Sequence, residues 1–502
     1  VYERGVSVMM ADLSYLEPGQ NMRPIPASAL DILLSALIRE RWTDFEGAKK
    51  VYQKLISARP RTREAQIARQ RMGAMDILIA EKELYKRVDR NAREVLSTIG
   101  MNVSENSNIL RLLFDADAID LNNDGAPFVP LKPEYIQRCL DLVPREFPGD
   151  PGPNTFGTGG TPPFYQSDGD CDLRPASQRE FEDIVHIAAK WSSVVDIFSV
   201  PVQTEKRMSD YDCALSMEKG FSGLKMIGTR RMSDAQSAHL SGRDDWLDGV
   251  SLVTSFTPMS NMVDPFLRSA ANGNNLLLLD FSIGGASGPN SPEALLTFIH
   301  AQVLFMMILV QTLRPGTTCV HGGIPGVVSS DGDISYSNPS QWLLNEAMAR
   351  LNLWVTGFPS AQSGGSTSVS EDMHQAIQES RNSRNRIRRY GAHMIRHAFG
   401  ALGNLRFFNL QKFEADCMAE LETRQGMHTN VLGDISVLPL HLPPDTQALE
   451  AISEFARKGN PKITDHTLKN VDAFRQWEEE VARQEELLLQ QENERESPDK
   501  AA

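Results

Sequence analysis

Two residues with reactive side chains stand directly after apolar runs of the sequence. Asp280 follows residues 276–279, and His321 follows residues 317–320. A carboxylate and an imidazole are groups that enzymes use as general acids and bases. Neither run alternates apolar and polar residues, as expected of parallel strands that are covered on both faces. Because α/β folds bind ligands beyond the carboxyl ends of their strands, we predict that Asp280 and His321 are catalytic residues.

Each of these residues also has a purely structural interpretation. Asp280 could cap a helix or bind an arginine, and His321 could be satisfied by hydrogen bonds to the backbone. Cys319 and His321 could share one face of the second strand and so suggest zinc. No third cysteine or histidine stands at a fitting spacing, so we expect no bound metal.

A glycine-rich stretch at residues 156–168 is a second candidate for ligand contact. It reads FGTGGTPPFYQSD, and its glycines could cradle a phosphate. No Lys-Ser/Thr pair follows the glycines, which excludes a P-loop. We therefore interpret the stretch as a substrate-facing loop with Tyr165 and Asp168 available for binding.

The residues between the two apolar runs have the pattern of a strand–helix–strand unit. A turn with Gly284 and Gly285 precedes the long apolar segment 292–313, which Arg314 and Pro315 terminate. The segment is long enough to cross a membrane, but positions 297, 300, 302 and 311 are polar. We therefore predict a buried helix and no membrane partner.

Strands and helices alternate along most of the chain, which favours a (β/α)8 TIM barrel over an open sheet. The predicted fold class is thus α/β, a TIM barrel with an N-terminal helical extension and a C-terminal acidic helix. The candidate strands are residues 194–200, 223–228, 250–256, 276–283, 317–322 and 352–358, with closing strands near 406–410 and 434–438.

The predicted barrel carries additions at both ends. Residues 1–84 form a helical extension for oligomerisation or docking, in which Ser28 caps the first helix, so a homo-oligomer is expected. An arginine-dense helix over residues 372–399 is either solvated or a docking patch for an acidic partner. The domain boundaries are 1–84 for the extension, 85–155 for a mixed α/β segment, 156–440 for the barrel, and 441–502 for a tail with an acidic helix at 472–496.

Composition limits the class of partner. The formal net charge is −14, which argues against nucleic acid and is compatible with cationic ligands. The five cysteines form no CxxC pair, which is typical of free thiols in a reducing cytosol. The first residues show no basic region followed by an apolar core, so we expect a cytoplasmic protein.

Four segments in one order carry a resemblance to a known family. They are NAREVLSTIGMNV at 91–103, GTGGTPPFYQSD at 157–168, GGASGPNSPEALLTFIHAQVLFMMILVQTLRPGTTCVHGG at 284–323, and SGGSTSVSEDMHQAIQE at 363–379. Together they resemble the corrinoid-dependent trimethylamine methyltransferase family, which includes glycine betaine methyltransferases. The resemblance covers about residues 85–440.

The resemblance implies a TIM barrel that moves a methyl group from an amine to the cobalt of a separate corrinoid protein. Members that use trimethylamine carry a pyrrolysine in the loop that matches residues 363–370. This loop reads SGGSTSVS here, without that residue. The resemblance therefore favours a quaternary or tertiary methylamine such as a betaine.

The implied chemistry asks the site to hold and align a cation. Co(I) attacks the methyl carbon, and a quaternary ammonium leaves as a neutral amine, so no general acid is needed. Aromatic faces and carboxylates hold cations, and His321 could orient substrate. The candidate binding residues are Phe256, Phe281, Trp354, Phe358, Tyr165, Asp168, Asp280, Glu371 and Asp372. Glu371 and Asp372 could instead cap a helix.

The corrinoid is expected on a partner protein, because the chain lacks the D-x-H-x-x-G signature of base-off corrinoid proteins. Gly284, Gly285, Gly364 and Gly365 would leave room for a flat macrocycle. Two other classes stay open at this point. One is a TIM-barrel lyase or hydrolase that uses Asp280 and His321, and the other is a non-catalytic oligomeric scaffold.

Overall fold

The computed structural model describes residues 28–120, 127–149, 155–166, 174–206, 208–328, 334–389, 391–427, 440, 442 and 444–458. The helices are α1 (Ala29–Arg41), α2 (Phe45–Ala58), α3 (Arg63–Thr98), α4 (Ser107–Asp115), α5 (Pro133–Leu142), α6 (Gln178–Lys190), α7 (Asp210–Gly220), α8 (Asp234–Leu240), α9 (Ser260–Asn272), α10 (Pro292–Leu313), α11 (Pro339–Leu351), α12 (Met373–Arg389), α13 (Leu410–Met427) and α14 (Ala448–Lys458).

The strands are short. They are β1 (Met101–Asn102), β2 (Phe128–Val129), β3 (Thr155–Phe156), β4 (Phe164–Gln166), β5 (Ile197–Ser199), β6 (Leu224–Ile227), β7 (Trp246–Val250), β8 (Val253–Thr254), β9 (Thr257–Pro258), β10 (Leu276–Asp280), β11 (Cys319–Gly323), β12 (Ala361–Ser363), β13 (Met394–Arg396), β14 (Ala401–Leu402) and β15 (Phe407–Asn409).

The chain divides into two compact units, residues 1–76 and 77–502, with the boundary inside α3. In the first unit α1 begins where predicted, because Ser28 is its N-cap. The Ser28 hydroxyl accepts a hydrogen bond from the backbone N–H of Asp31 at 3.1 Å, and the Asp31 carboxylate accepts from the Ser28 backbone at 2.8 Å. This capping box satisfies two backbone donors of the first turn.

The second unit is built on parallel strands. Five of them pair in the order β11–β10–β7–β6–β5, and β12, β13 and β3 pair in a second parallel set. Two parallel bridges link the sets. His321 bridges to Ser360, next to β12, and Gly157, next to β3, bridges to Ile197. The unit is therefore a mixed α/β structure on parallel sheets, with β6, β7, β10 and β11 consecutive as predicted.

Alternate residues of these strands separate an inner from an outer core. The inner cluster contains Leu224, Met226, Leu247, Leu277, Val320, Ala361 and Met394. Phe147 belongs to the same cluster and stacks at 6.3 Å on His393, at the amino end of β13. The other strand residues, such as Phe198 and Ile395, pack outward against the helices. Phe147 thus covers the amino end of β13.

Helix α10 has the predicted bounds. By length and composition it could cross a membrane, and its apolar window is entirely buried inside the protein. Residues 292–311 are all buried, which includes the polar His300, Gln302 and Gln311. The prediction of a buried helix is confirmed. The stop signals at Arg314 and Pro315 and the capping Ser291 explain why both ends could be placed from the sequence.

Several predicted elements differ from the structure. Residues 352–358 are not a strand, because a π-helix at Asn352–Thr356 continues α11 and the strand follows at Ala361–Ser363. The strand predicted at 250–256 lies earlier, at Trp246–Val250. Phe407–Asn409 is a strand but pairs with β4 and β14, away from the eight parallel strands described above. The strand predicted at 434–438 and the acidic helix at 472–496 lie outside the described residues.

The arginine-dense helix also differs. It ends at Arg389, and Met394–Arg396 is a strand. Arg384 and Arg388 are buried rather than solvated, and they pair with Asp416 and Glu420 of α13. These charges hold α12 against α13, so neither the solvated face nor a docking patch describes these two residues.

Candidate functional site

Asp280 lies at the carboxyl end of β10 and faces the helix layer. Leu277 lies in the inner cluster and Leu279 packs against it, so alternation turns Asp280 to the other side of the strand. Its carboxylate accepts a hydrogen bond from Gln302 Nε2 of α10 at 3.0 Å and from Ser282 Oγ at 3.1 Å. Burial raises the pKa of Asp280 to about 8. Its described partners are therefore internal polar groups.

His321 is engaged at both ring nitrogens. The backbone N–H of Gly323 donates to His321 Nδ1 at 3.2 Å, and His321 Nε2 lies 2.9 Å from His300 Nδ1. His300 Nε2 lies 3.0 Å from the Asp89 carboxylate. Because Nδ1 accepts, the proton of His321 sits on Nε2 and points to His300, which leaves the His300 Nε2 proton for Asp89. Burial, followed by the neighbouring His300, holds the pKa of His321 well below its ordinary value.

These contacts define a buried relay of Asp89, His300 and His321. No ring nitrogen of His321 is left for a ligand, and Asp280 faces the same helix layer. The catalytic roles predicted for Asp280 and His321 stay predictions, and the geometry gives both residues a full set of internal partners.

Phe281, the residue after Asp280, lies on the opposite side of the chain and is 38% exposed. Its ring stacks on Tyr336 with centroids 6.4 Å apart and 4° between the planes. Tyr336 in turn meets His397 edge to face at 6.1 Å and 88°. We call Phe281, Tyr336 and His397 the aromatic corner. Exposed ring faces of this kind attract cations through the ring quadrupole.

Arg396 ends β13 beside this corner. Met394 belongs to the inner cluster and Ile395 to the outer one, so alternation places Arg396 on the inner side, at the carboxyl end of the strand. The side chain is buried, and its Nε has no hydrogen-bond partner among the residues that the structure describes. Burial lowers the pKa of Arg396 to about 10, and Tyr336 opposes that shift.

The backbone around Arg396 is fixed by its neighbours. Ser363 of β12 is in register with Arg396, and Ser363 Oγ lies 2.9 Å from His397 Nδ1. His397 adopts a left-handed backbone conformation with φ 60°. The backbone at Gly160 passes so close to the His397 ring that a Cβ there would lie 2.9 Å from Cδ2. The glycine-rich loop of the sequence analysis therefore touches the aromatic corner.

Phe256 is fully buried and packs edge to face on Phe298 of α10 at 4.5 Å. Its backbone N–H donates to the side-chain oxygen of Gln302 at 2.9 Å. The same amide that binds Asp280 thus anchors the loop after β7, and the Phe256 ring belongs to the core of the helix layer.

Trp354 and Phe358 precede β12 rather than follow a strand. Trp354 meets Tyr85 at 5.6 Å, and the Arg350 guanidinium lies 4.8 Å from its ring centroid. The Arg145 guanidinium lies 4.1 Å from the centroid of Phe358. The rings of Trp354 and Phe358 are thus packed against arginines of this chain. The structure does not bring these two rings to Phe281.

Tyr165 lies on β4, is buried, and stacks on Phe408 at 6.4 Å. Asp168 lies outside the described residues. Asp372 accepts a hydrogen bond from the backbone N–H of Gln375 at 3.0 Å, which is the capping interpretation, and Glu371 is exposed beside it. Substrate roles for these four residues stay predictions.

The four glycines expected near a macrocycle are packed by their own chain. Gly284 donates to the carbonyl of Gly326 at 2.9 Å, and Gly285 donates to Gly288 at 3.0 Å. Gly364 and Gly365 are buried. A Cβ at Gly365 would lie 2.6 Å from the Ala398 Cα. Close approach of backbone to backbone accounts for the glycine at this position.

Sequence reasoning missed Tyr336, Arg396 and His397. The last two were assigned to a helix, although Gly391, with φ 86°, lies between α12 and β13. A glycine between an arginine-rich helical pattern and the apolar Met394 and Ile395 is a usable signal for a helix end followed by a strand.

The carboxyl edge of the parallel strands of this α/β protein brings together one exposed aromatic ring, Phe281, two buried rings, Tyr336 and His397, and the buried Arg396. The chain belongs to the trimethylamine methyltransferase family, because residues 47–487 match the family model for trimethylamine methyltransferase (MTTB). The resemblance seen in the sequence is confirmed.

A curated relative is the glycine betaine methyltransferase of Desulfitobacterium hafniense (strain Y51). It is 24% identical over 317 residues, which is 57% of this chain. The matched part spans 65% of that relative's length.

The solved structures that the chain matches have low sequence identity to it. The monomethylamine methyltransferase MtmB of Methanosarcina barkeri is 11% identical, with 79% of this chain and 92% of that chain covered and a TM-score of 0.39. The hydroxylamine complex of MtmB is also 11% identical, with 81% of this chain and 93% of that chain covered and a TM-score of 0.40. The dihydropteroate synthase of Stenotrophomonas maltophilia with active-site-bound imidazole is 9% identical, with 55% of this chain and 94% of that chain covered and a TM-score of 0.34.

Proposed function

We propose that the protein transfers a methyl group from a quaternary or tertiary methylamine of the betaine type to the Co(I) of a separate corrinoid protein. The observation that carries the proposal is the exposed Phe281 ring of the aromatic corner at the carboxyl ends of parallel strands, in a chain of the trimethylamine methyltransferase family. The corrinoid protein supplies the methyl acceptor and is a second substrate of the reaction.

We further propose that β3, β5, β6, β7, β10, β11, β12 and β13 close into a TIM barrel. The pairings and the two parallel bridges support this, because together they give each strand a neighbour on both sides. A closed barrel places the ends of β10 and β13 at one mouth, so Phe281, Tyr336 and Arg396 can act on one ligand.

Holding a quaternary ammonium is the main task of the chain's own residues. The face of Phe281 attracts the cation, and its packing on Tyr336 fixes the ring. The neutral amine is a good leaving group, so the protein need not supply a proton and can work by alignment. This agrees with a mouth in which His397 is held neutral, because burial and the nearby Arg396 hold its pKa well below the ordinary value.

The partner and the setting are part of the proposal. A corrinoid protein must dock over the barrel mouth for its cobalt to reach a methyl group bound there. We also propose a cytoplasmic homo-oligomer. Size-exclusion chromatography with light scattering tests the assembly, and cell fractionation tests the location.

The activity is tested by incubating the protein with trimethylammonium compounds and chemically reduced cob(I)alamin, and by detecting the demethylated amine by mass spectrometry. We expect product only with the cobalt acceptor. Phe281→Ala should weaken substrate binding by about 1–2 kcal/mol, or roughly 5- to 30-fold, through the lost cation–π contact. Phe114→Ala removes another exposed phenylalanine, from α4, and is the matched control.

Two outcomes would contradict the proposal. Demethylation of the amine with a folate or thiol acceptor and no cobalt would show that Co(I) is not the methyl acceptor. Hydrolysis or elimination of another small molecule, with no binding of any methylated amine, would instead support the lyase or hydrolase interpretation.

A further inference from the structure

Within the part of the chain that the structure describes, Arg396 differs from other buried arginines in having no carboxylate beside it. Three others have one: Arg350 pairs with Glu81 at 2.6 Å, Arg384 with Asp416 at 3.3 Å, and Arg388 with Glu420. Among the described residues no acidic group lies against Arg396. Tyr336 is the titratable neighbour that affects the pKa of Arg396, and it opposes the lowering by burial. Buried charges in proteins are normally paired, so an unpaired guanidinium needs an explanation.

The surroundings of Arg396 are polar but neutral. His397, the next residue, is held neutral by burial and by Arg396 itself. The Tyr336 hydroxyl is buried and keeps its proton, because burial raises the pKa of Tyr336 to about 12. Ser363, in register with Arg396, donates or accepts only toward His397 among its described side-chain contacts. The group therefore presents one uncompensated positive charge and neutral hydrogen-bonding groups.

Tyr336 lies between the Arg396 end of β13 and the proposed cation site at Phe281. Its ring stacks on that of Phe281 and meets His397 edge to face. A ligand that carries both a methylammonium group and an anionic group could contact Phe281 with the first and Arg396 with the second. A ligand with a cation alone would bring like charges together, which is unfavourable.

We propose that Arg396 binds the carboxylate of the substrate, so that the site selects zwitterionic trimethylammonium carboxylates over simple methylammonium cations. This rests on the proposed function and adds the residue that determines specificity. The planar guanidinium suits a carboxylate, which it can bind through two parallel hydrogen bonds. A single carboxylate also balances the single buried charge.

The test is isothermal titration calorimetry of the full chain with two ligand pairs. Each pair is a betaine and its own methyl ester: glycine betaine and γ-butyrobetaine, each against the ester that keeps the quaternary ammonium and loses the anion. The wild-type protein should bind at least one betaine roughly 10- to 100-fold more tightly than its ester. Arg396→Gln should remove that preference and leave the affinity for the ester unchanged or higher.

Stability in the absence of ligand gives a second readout. Because Arg396 is buried without an acidic partner among the described residues, Arg396→Gln should leave the melting temperature unchanged or raise it. Arg384→Gln, which breaks a buried pair, should lower it and is the matched control. Phe281→Ala should weaken betaine and ester alike, which separates the cation site from the carboxylate site.

The outcomes separate the two proposals. If neither betaine is preferred over its ester, or if Arg396→Gln keeps the preference, the carboxylate role of Arg396 is overturned while methylamine binding stands. If no methylated ammonium compound binds the wild-type protein, the proposed function itself fails.

Discussion

The buried relay of Asp89, His300 and His321 predicts that His321 acts on stability rather than on chemistry. His321→Ala removes the 2.9 Å hydrogen bond to His300 and the acceptor 3.2 Å from the Gly323 N–H. Two buried polar groups lose their partner, at about 1–3 kcal/mol each. With the void left by a ring that is fully buried, we expect the free energy of unfolding to fall by about 3–5 kcal/mol.

The same substitution has a predictable pH signature. Burial holds the pKa of His321 well below its ordinary value, whereas the unfolded chain takes up a proton near about pH 6.5. The stability that this group contributes is therefore present above about pH 6.5 and is lost as the pH falls below it, by about 1.4 kcal/mol per pH unit. The His321→Ala protein lacks this pH-dependent contribution. Its free energy of unfolding should therefore fall less steeply on acidification, because one proton fewer is taken up on unfolding.

Urea unfolding followed by fluorescence, at several values between about pH 5 and pH 7, measures both effects. His393 and His397 have pKa values shifted in the same direction and are present in both proteins, so they cancel in the difference. His186→Ala removes an exposed histidine of α6 and should change stability by less than about 0.5 kcal/mol. A His321→Ala protein with wild-type stability and no methyl transfer would refute this reasoning and restore His321 as a catalytic residue.

Three further predictions concern stability. Burial raises the pKa of Asp280 to about 8, so its stabilising effect is complete below the unfolded pKa of about 3.9 and is lost as pH rises through about 8. In thermal melts, the melting temperature of Asp280→Asn should therefore rise relative to that of the wild type as the pH increases. A difference in melting temperature that stays constant with pH would contradict this prediction. Arg350→Met leaves Glu81 buried without the 2.6 Å partner and should lower the free energy of unfolding by about 3–5 kcal/mol in urea, with part of the loss recovered by adding Glu81→Gln. Gly365→Ala places a Cβ 2.6 Å from the Ala398 Cα at φ 106° and should cost more than about 2 kcal/mol, so a wild-type melting temperature would show that this backbone is not rigid.

The sequence predicted best where burial and local signals agree. Helix α10 could be placed from end to end because an apolar run, a capping serine and a following proline all point to the same bounds. The strand β10 has an unbroken apolar run that ends at Asp280, and β11 begins with two apolar residues before His321 and two glycines. Their order in the sheet follows the chain, so topology needed no long-range information.

The site was less accessible to sequence reasoning, because strand alternation decides which way a side chain points. Asp280 and Phe281 are adjacent, yet one faces α10 and the other is exposed. A shift of one residue exchanges the two faces. Trp354 was misplaced for a related reason, since a π-helix extends α11 through residues whose β-branched and aromatic character favours a strand.

Arg396 was hidden by composition. Its segment is so rich in arginine that a single solvated helix was the simplest interpretation, and only the pairing of β13 with β12 and β3 separates Arg396 from the paired arginines of α12. Whether a buried charge has a partner depends on residues distant in sequence, and no local pattern reports it.

Following the methyl group itself shows whether the protein transfers it from a betaine to cobalt. Glycine betaine with deuterated N-methyl groups is incubated with the protein and a reduced corrinoid acceptor, and the acceptor is analysed by mass spectrometry. The account predicts that an intact trideuterated methyl group appears on cobalt in equal amount to the dimethyl product, and that Arg396→Gln and Phe281→Ala each slow its appearance at low substrate concentration. Release of the label to water or to a cobalt-free acceptor, or transfer unaffected by both substitutions, would contradict it.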